Sequence, residues 1–256
     1  MALRVSQHVK SLPLRYADAA GFVIFDLKNT PMKKMFPNNF IEIEGTMTDK
    51  DRKAAEWVLS EFGTNKPILQ NTWFIADTHF FHSNIIRYCN RPWNSGKNAA
   101  GEVVVTEKDV YNMNQALIDN WNKVVGKDDV VWHLGDFSFG KKDNVKRVLS
   151  QLNGKINLVK GNHDRESLKF YYDAGFNAVY DHPVLLNNYV ILSHIPMPFL
   201  NKNTPFFNIA GHVHDSAAYQ TWSPVQCIVS VERHNYAPIS WKTIEENYKR
   251  MQKEGL

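Results

Sequence analysis

INLVKGNHD, residues 156–164, is an apolar run that stops abruptly at a glycine, an amide, an imidazole and a carboxylate. Apolar stretches this short suit strands buried on both faces. A strand ending in ionisable residues sets them at the carboxyl edge of a sheet, where ligands of open α/β sheets gather. Four more runs share this construction. WFIADTH (73–79) ends in Asp77 and His79, and VVWHLGD (130–136) ends in Asp136; YVILSHIP (189–196) carries His194, and FFNIAGHVH (206–214) ends in His212 and His214. Helix-like stretches alternate with these runs, which predicts an α/β domain whose five strand ends converge. Asp77 and His79 are two residues apart, as are His212 and His214, so extended chain would point each pair to one side. Gly135, Gly161 and Gly211 precede the ionisable residues and allow tight turns from strand to loop.

The chain divides near residue 70. Residues 1–70 hold two strand candidates, GFVIFDL (21–27) and NFIEIEG (39–45), then a helix candidate capped by Thr48, with Asp51 three residues on. Gly63 ends that helix. No chemical motif lies in this stretch, which reads as a small α+β accessory subdomain before a catalytic domain at 71–256. Beyond it, residues 107–125 predict an amphipathic helix with Val110, Met113, Leu117, Trp121 and Val124 as its apolar stripe. Residues 91–105 read as a loop with a short hairpin, and SWKTIEENYKRMQKEGL at the end reads as a terminal helix.

Composition narrows the class. Hydrophobic residues at 43% and aromatics at 12% build a substantial core and exclude wholesale disorder. The net charge of +4 is scattered rather than gathered into a stripe, so a mixed solvated surface is favoured over a nucleic-acid footprint. Cys89 and Cys227 make no disulfide framework. No apolar stretch reaches membrane-spanning length and the start lacks a signal-peptide core, so the expectation is a cytoplasmic enzyme or binding protein without membrane contact.

Imidazole, carboxylate and amide oxygen without thiolate form a mixed N/O donor set. It suits Mn²⁺, Fe, Zn²⁺ or Ni²⁺, with Mg²⁺ also allowed, better than a structural zinc. Seven candidates, Asp77, His79, Asp136, Asn162, His194, His212 and His214, are too many for one ion. Two ions sharing one carboxylate would use them all. A lone D-x-H or strand-end histidine is more often structural; the GNHD tetrad is far more specific, and the ordered set of five carries the reading. His8, His182 and His234 lack that context, and His133 is expected to pack near the site rather than bind.

In this order, D-x-H, G-D, G-N-H-D, H and G-H-x-H resemble the calcineurin-like metallophosphoesterase superfamily over residues 72–236. ADTHFFHSNIIRYCNRPW with HLGDFSFG after it is similar to small bacterial and phage phosphoesterases of that superfamily. The resemblance implies two mixed β-sheets packed face to face with helices outside, a four-layer αββα sandwich. It implies Asp77, His79 and His214 on a first ion, Asn162, His194 and His212 on a second, and Asp136 bridging both. His163 would then meet a phosphate oxygen, with Asp164 hydrogen-bonded to its imidazole. The implied reaction is in-line attack on phosphorus by a hydroxide bridging the ions, with His163 protonating the departing oxygen.

Protein Ser/Thr phosphatases of the superfamily carry an arginine shortly after the bridging aspartate and a glutamate after the third-motif histidine. Here Phe-Ser-Phe-Gly follows Asp136 and Asp164 follows His163. A phosphodiesterase acting on a nucleotide, cyclic nucleotide or nucleic-acid strand is therefore favoured, with a phosphomonoesterase as the alternative. A metal-poor scaffold protein would lack ligands, and none is missing. His82, Asn84, Arg87, Arg91 and Arg165 stand close enough in sequence to tune substrate choice. For each arginine a surface salt bridge or loop cap is the favoured reading. A homo-oligomer is left open.

Overall fold

The computed structural model describes residues 63–64, 70–187, 189–198, 200–201 and 206–254. The strand candidates at 21–27 and 39–45 and the helix candidate before Gly63 lie outside them.

All five ligand-bearing runs are strands. β1 (Gly63–Thr64) comes first, and β2 (Thr72–Ile75), β3 (Val130–His133) and β4 (Lys155–Val159) carry the first three runs. β5 (Ala178–Tyr180) and β6 (Val184–Leu186) follow; β7 (Val190–Ser193) and β8 (Phe207–Ala210) carry the last two. β9 (Trp222–Ser223), β10 (Gln226–Ile228) and β11 (Ile239–Ser240) complete two mixed sheets. One has the order β11-β2-β3-β4-β5 and the other β1-β6-β7-β8-β10-β9. β2, β3 and β4 run parallel in the first sheet, and β7 and β8 run parallel in the second. The ligand-bearing ends are thus shared between two sheets rather than lined along one. β1 pairs with β6 through Gly63 and Leu185, so the chain enters the second sheet before residue 70.

Alternation along the first sheet separates two cores. Ile75, Val131 and Leu158 face the helices α1 (Ser83–Tyr88), α2 (Glu107–Val124), α3 (Lys142–Leu149) and α4 (Leu168–Ala174). Phe74, Trp132 and Val159 face the second sheet, meeting Val184, Leu192 and Ile209. Burial on both faces is why these strands read as continuous apolar runs. The layers are helices, sheet and sheet. α5 (Trp241–Glu254) sends Trp241 and Ile244 into the core between the sheets, and the described residues place no second outer layer of helices.

α2 forms where its stripe predicts, with Met113, Leu117 and Trp121 buried. Thr106 and Asp109 close a reciprocal capping box at its start. The expected hairpin is present as a bridge between Lys97 and Val103. Both cysteines are free and buried. Among the described residues no helix is long and apolar enough to cross a membrane.

Candidate metal centre

The loops leaving β2 and β3 stay zipped together beyond the strands. Asp77 donates its N–H to the Gly135 carbonyl at 3.0 Å, and His79 donates to that of Asp136 at 2.9 Å. The loops after β7 and β8 are tied alike, Gly211 N–H donating to the His194 carbonyl at 3.0 Å. A link across the sheets follows, because both Asp77 carboxylate oxygens accept from the His212 N–H, at 3.1 and 2.9 Å. Four strand ends thereby become one surface.

The ligand pairs converge for a reason other than extended chain. Asp77 (φ 59°), His79 (48°), Asp136 (57°), His212 (71°) and His214 (47°) all occupy the left-handed region. The expectation that Asp77/His79 and His212/His214 share a side as extended residues is therefore corrected: tight left-handed turns aim them. Gly161 is required by close approach, since a Cβ there would lie 2.6 Å from the Asp136 backbone nitrogen.

The donors fall into two groups. Ligand atoms of Asp77, His79 and His214 lie within 4.8 Å of one another. The buried His79 Nε2 has no hydrogen-bond partner among the described residues, and it faces Asp136 Oδ2 at 3.4 Å. Burial, then the charges of Arg91 and His214, hold the pKa of His79 far below the usual histidine range, so its imidazole is a neutral donor. In the second group His194 Nδ1 donates to the Leu134 carbonyl at 2.8 Å, leaving its Nε2 as a lone pair. That Nε2 lies 2.9 Å from Asn162 Oδ1 and 3.1 Å from His212 Nδ1, which are themselves 3.1 Å apart. Ligand bonds of about 2.1 Å at right angles separate neighbouring donors by about 3 Å, so this triangle matches one face of an octahedral shell. Asp136 Oδ2 lies 3.6 Å from His194 Nε2, between the two groups. The residues fit divalent cations.

Electrostatics agree. Burial opposes a charged His214, but its hydrogen bonds with Cys89 and Glu232 and the Asp77 charge outweigh it and push its pKa up to about 11. Surroundings that hold a proton so firmly favour a cation. Burial alone would raise Glu232, yet its bond to His214 and the Arg91 charge bring it down to about 2.

Glu232 is the part that sequence reading missed, and Arg91, read as a substrate-tuning group or more simply a surface salt bridge, is its partner. Arg91 forms a salt bridge, but a wholly buried one, with the two side chains 0% and 3% exposed. Its Nε and Nη2 donate to Glu232 Oε1 at 3.0 and 2.6 Å, and Nη1 and Nη2 donate to the Thr78 and Asp77 carbonyls at 2.9 and 2.7 Å. Glu232 in turn accepts from His214 Nδ1 at 3.1 Å, leaving Nε2 for a metal. Arg233 Nε donates to the His214 carbonyl. Cys89, His214 and Glu232 also lie within 4.8 Å of one another. With a guanidinium already on Glu232, a further cation there would be repelled, so the trio orients His214. No local signal marks Glu232, which sits 141 positions from Arg91.

The Asp136 loop depends on Asp164, though not as expected. Its oxygens accept from the N–H groups of Asp136, Phe137 and Gly161 at 2.7, 3.1 and 2.9 Å. The expected bond to the His163 imidazole is replaced by these backbone bonds, and His163 Nδ1 has no partner among the described residues. Burial, aided by the Asp136 charge and opposed by these bonds, raises the Asp164 pKa to about 6. His163 is pinned through its N–H to Asp136 Oδ1 at 2.9 Å, and its ring Nε2 lies 4.0 Å from Asp136 Oδ2.

The remaining candidates scatter. His82 Nδ1 sits 3.4 Å behind His79 Nδ1, and burial, with the charges of His163 and Arg91, lowers its pKa to about 4. Arg87 donates to Asn84 and to the Val103 carbonyl, each at 3.0 Å. Arg165 is exposed beside His163. His133 packs under the loops as expected, 2.9 Å from Thr78 Oγ1.

Two sheets whose joined ends present carboxylates, imidazoles and an amide in this order define a metal-dependent phosphoric ester hydrolase. The chain belongs to the calcineurin-like phosphoesterase family, whose model matches residues 71–254. It is 34% identical over 179 residues to an uncharacterized protein of Methanocaldococcus jannaschii, covering 67% of this chain and 88% of that one. The gene 66 protein of Mycobacterium phage L5 is 32% identical over 99 residues, 38% of this chain and 41% of the phage protein. Among solved structures, a protein of unknown function from Aquifex aeolicus is 25% identical with a TM-score of 0.48, covering 68% of this chain and 97% of its own. A nuclease of Pseudomonas putida is 21% identical with a TM-score of 0.34, over 57% of this chain and 62% of its own.

Proposed function

We propose that the protein is a phosphodiesterase acting on a nucleotide, cyclic-nucleotide or nucleic-acid diester, with two divalent cations, Mn²⁺ favoured. The observation that carries the diester reading is how Arg91 and Arg87, the two arginines that follow the Asp77 loop, are used, with Arg165 after His163 the exposed exception. Arg91 is buried and bound to Glu232 and two carbonyls, and Arg87 is bound to Asn84 and Val103. A monoester brings a charge of about −1.5 to −2 that calls for such groups; a diester brings a single charge that two cations alone balance.

Asp77, His79 and His214 would hold one cation and Asn162, His194 and His212 the other, with Asp136 between. When bound, the ions supply Lewis acidity and a nucleophilic hydroxide near neutral pH. His163 is one-third exposed and fixed by its backbone bond to Asp136, so its ring can move a proton to the departing oxygen. Asp164 keeps the Asp136 turn in shape. Arg165, exposed beside His163, is free to meet the rest of the substrate. A cytoplasmic location belongs to the same reading, and two free, buried cysteines are compatible with it.

The test compares bis(p-nitrophenyl) phosphate with p-nitrophenyl phosphate on Mn²⁺-loaded protein. A higher kcat/KM on the diester is expected. Preference for the monoester would overturn the diester reading, and no hydrolysis of either would overturn the whole proposal.

A further inference from the structure

Beside the metal loops an array of rings runs outward to solvent. His82 lies 5.3 Å from His79 and 6.3 Å from His163, centroid to centroid. Phe139 stacks on His82 at 4.2 Å with the planes only 12° apart, and its ring lies 5.9 Å from that of His163. Tyr88 meets His82 edge-on at 6.4 Å and 79°. Phe139 is 41% exposed and Tyr88 72% exposed. Burial of such side chains is the ordinary outcome of folding, yet here two of them rim the candidate centre.

Phe139 is also held in place. It follows the Asp136 loop, its N–H donates to the Phe80 carbonyl at 2.8 Å, and its carbonyl accepts from Asn144 Nδ2 at 3.2 Å. One ring face rests on an imidazole while much of the remainder is open. A planar group stacking on that side would lose little entropy in fixing the ring, because His82 already fixes it.

We propose that Phe139, backed by His82, is a stacking platform for a nucleobase flanking the scissile phosphate. The proposal rests on the diesterase reading and deepens it: the substrate is a nucleoside diester, recognised by the face of a base rather than by its hydrogen-bonding edge. Such stacking tolerates any base. Arg165, two residues after His163, is also exposed and suits the neighbouring phosphate of a strand.

The experiment uses the full chain with Mn²⁺ and two substrates: a thymidine dinucleotide, and the same diester with a tetrahydrofuran abasic residue in place of one nucleoside. Wild type should favour the base-bearing diester. In F139A the ratio of the two kcat/KM values should fall roughly 5–150-fold, mostly through KM, and F139W should restore it. Circular dichroism melting checks that F139A is folded. An unchanged ratio in folded F139A, or a wild type that does not discriminate, would overturn the platform. A second readout needs no turnover: the added indole fluorescence of F139W should be quenched by thymidine 5′-monophosphate and not by deoxyribose 5-phosphate. Equal quenching, or none, would also overturn it. If wild type cleaves p-nitrophenyl phosphate but neither diester, the diesterase reading falls, while the quenching result still decides the platform.

Discussion

Replacing Arg91 by methionine should reveal how much of the metal centre stands on one guanidinium. The side chain is fully buried and makes two bonds to Glu232 and one each to the Asp77 and Thr78 carbonyls. Its removal leaves a carboxylate that is 3% exposed without its guanidinium, with only the His214 imidazole still bonded to it. Breaking a buried pair by deleting one partner costs about 3–5 kcal/mol. In a fold of this size each kcal/mol lowers Tm by about 2–4 °C, so R91M should melt about 6–20 °C below wild type. The melting is measured in chelator, so that lost metal does not add to the shift. R91K keeps the charge but not the fork, and should fall between. The double variant R91M/E232M removes both charges and should recover much of the stability. It should nevertheless bind the first cation about 10–100-fold more weakly, because His214 Nδ1 no longer has its carboxylate. A fall of under about 3 °C in R91M, or wild-type metal affinity in the double variant, would refute the reasoning.

Chelation should abolish hydrolysis and Mn²⁺ restore it, and Asp136→Asn should lose both ions by elemental analysis, since a neutral amide bridges two cations poorly. His163→Gln should keep both ions while turnover falls by ~10²–10⁴-fold, the usual contribution of a general acid; metal loss in that variant would contradict the role. Gly161→Ala sets a methyl group against the Asp136 backbone nitrogen. It should destabilise by about 1–3 kcal/mol and lower metal content, measured by urea unfolding and elemental analysis.

The strands were legible because burial on both faces turns each into a short apolar block, and the donors stood where those blocks stop. α2 was legible in its stripe and its Thr106 cap. The division of the blocks between two sheets was not, because β4 and β7 carry the same buried composition although they belong to different sheets. Arg91 shows a second limit. An arginine in a polar loop reads as surface, and only the fold brings Glu232 under it. Asp164 shows a third: the resemblance implied a bond to His163, but the turn presents three N–H groups to that carboxylate first. Asp77 and His79 were placed together correctly for the wrong geometric reason, since left-handed turns and extended chain both set alternate residues near each other.

Those left-handed turns have a consequence for how the protein experiences its metal supply. For an ordinary side chain this conformation costs roughly 1–2 kcal/mol, and Asp77, His79, Asp136, His212 and His214 all adopt it. Glycine at any of them would relax the empty fold but remove a donor. Cation binding would offset that cost without changing the backbone, stabilising by RT ln(1 + [L]/Kd) for each ion. Heat resistance should thus track free cation concentration. Ranking Mn²⁺, Fe, Zn²⁺, Ni²⁺ and Mg²⁺ by the melting temperature each confers would order their affinities for this centre before any substrate is known.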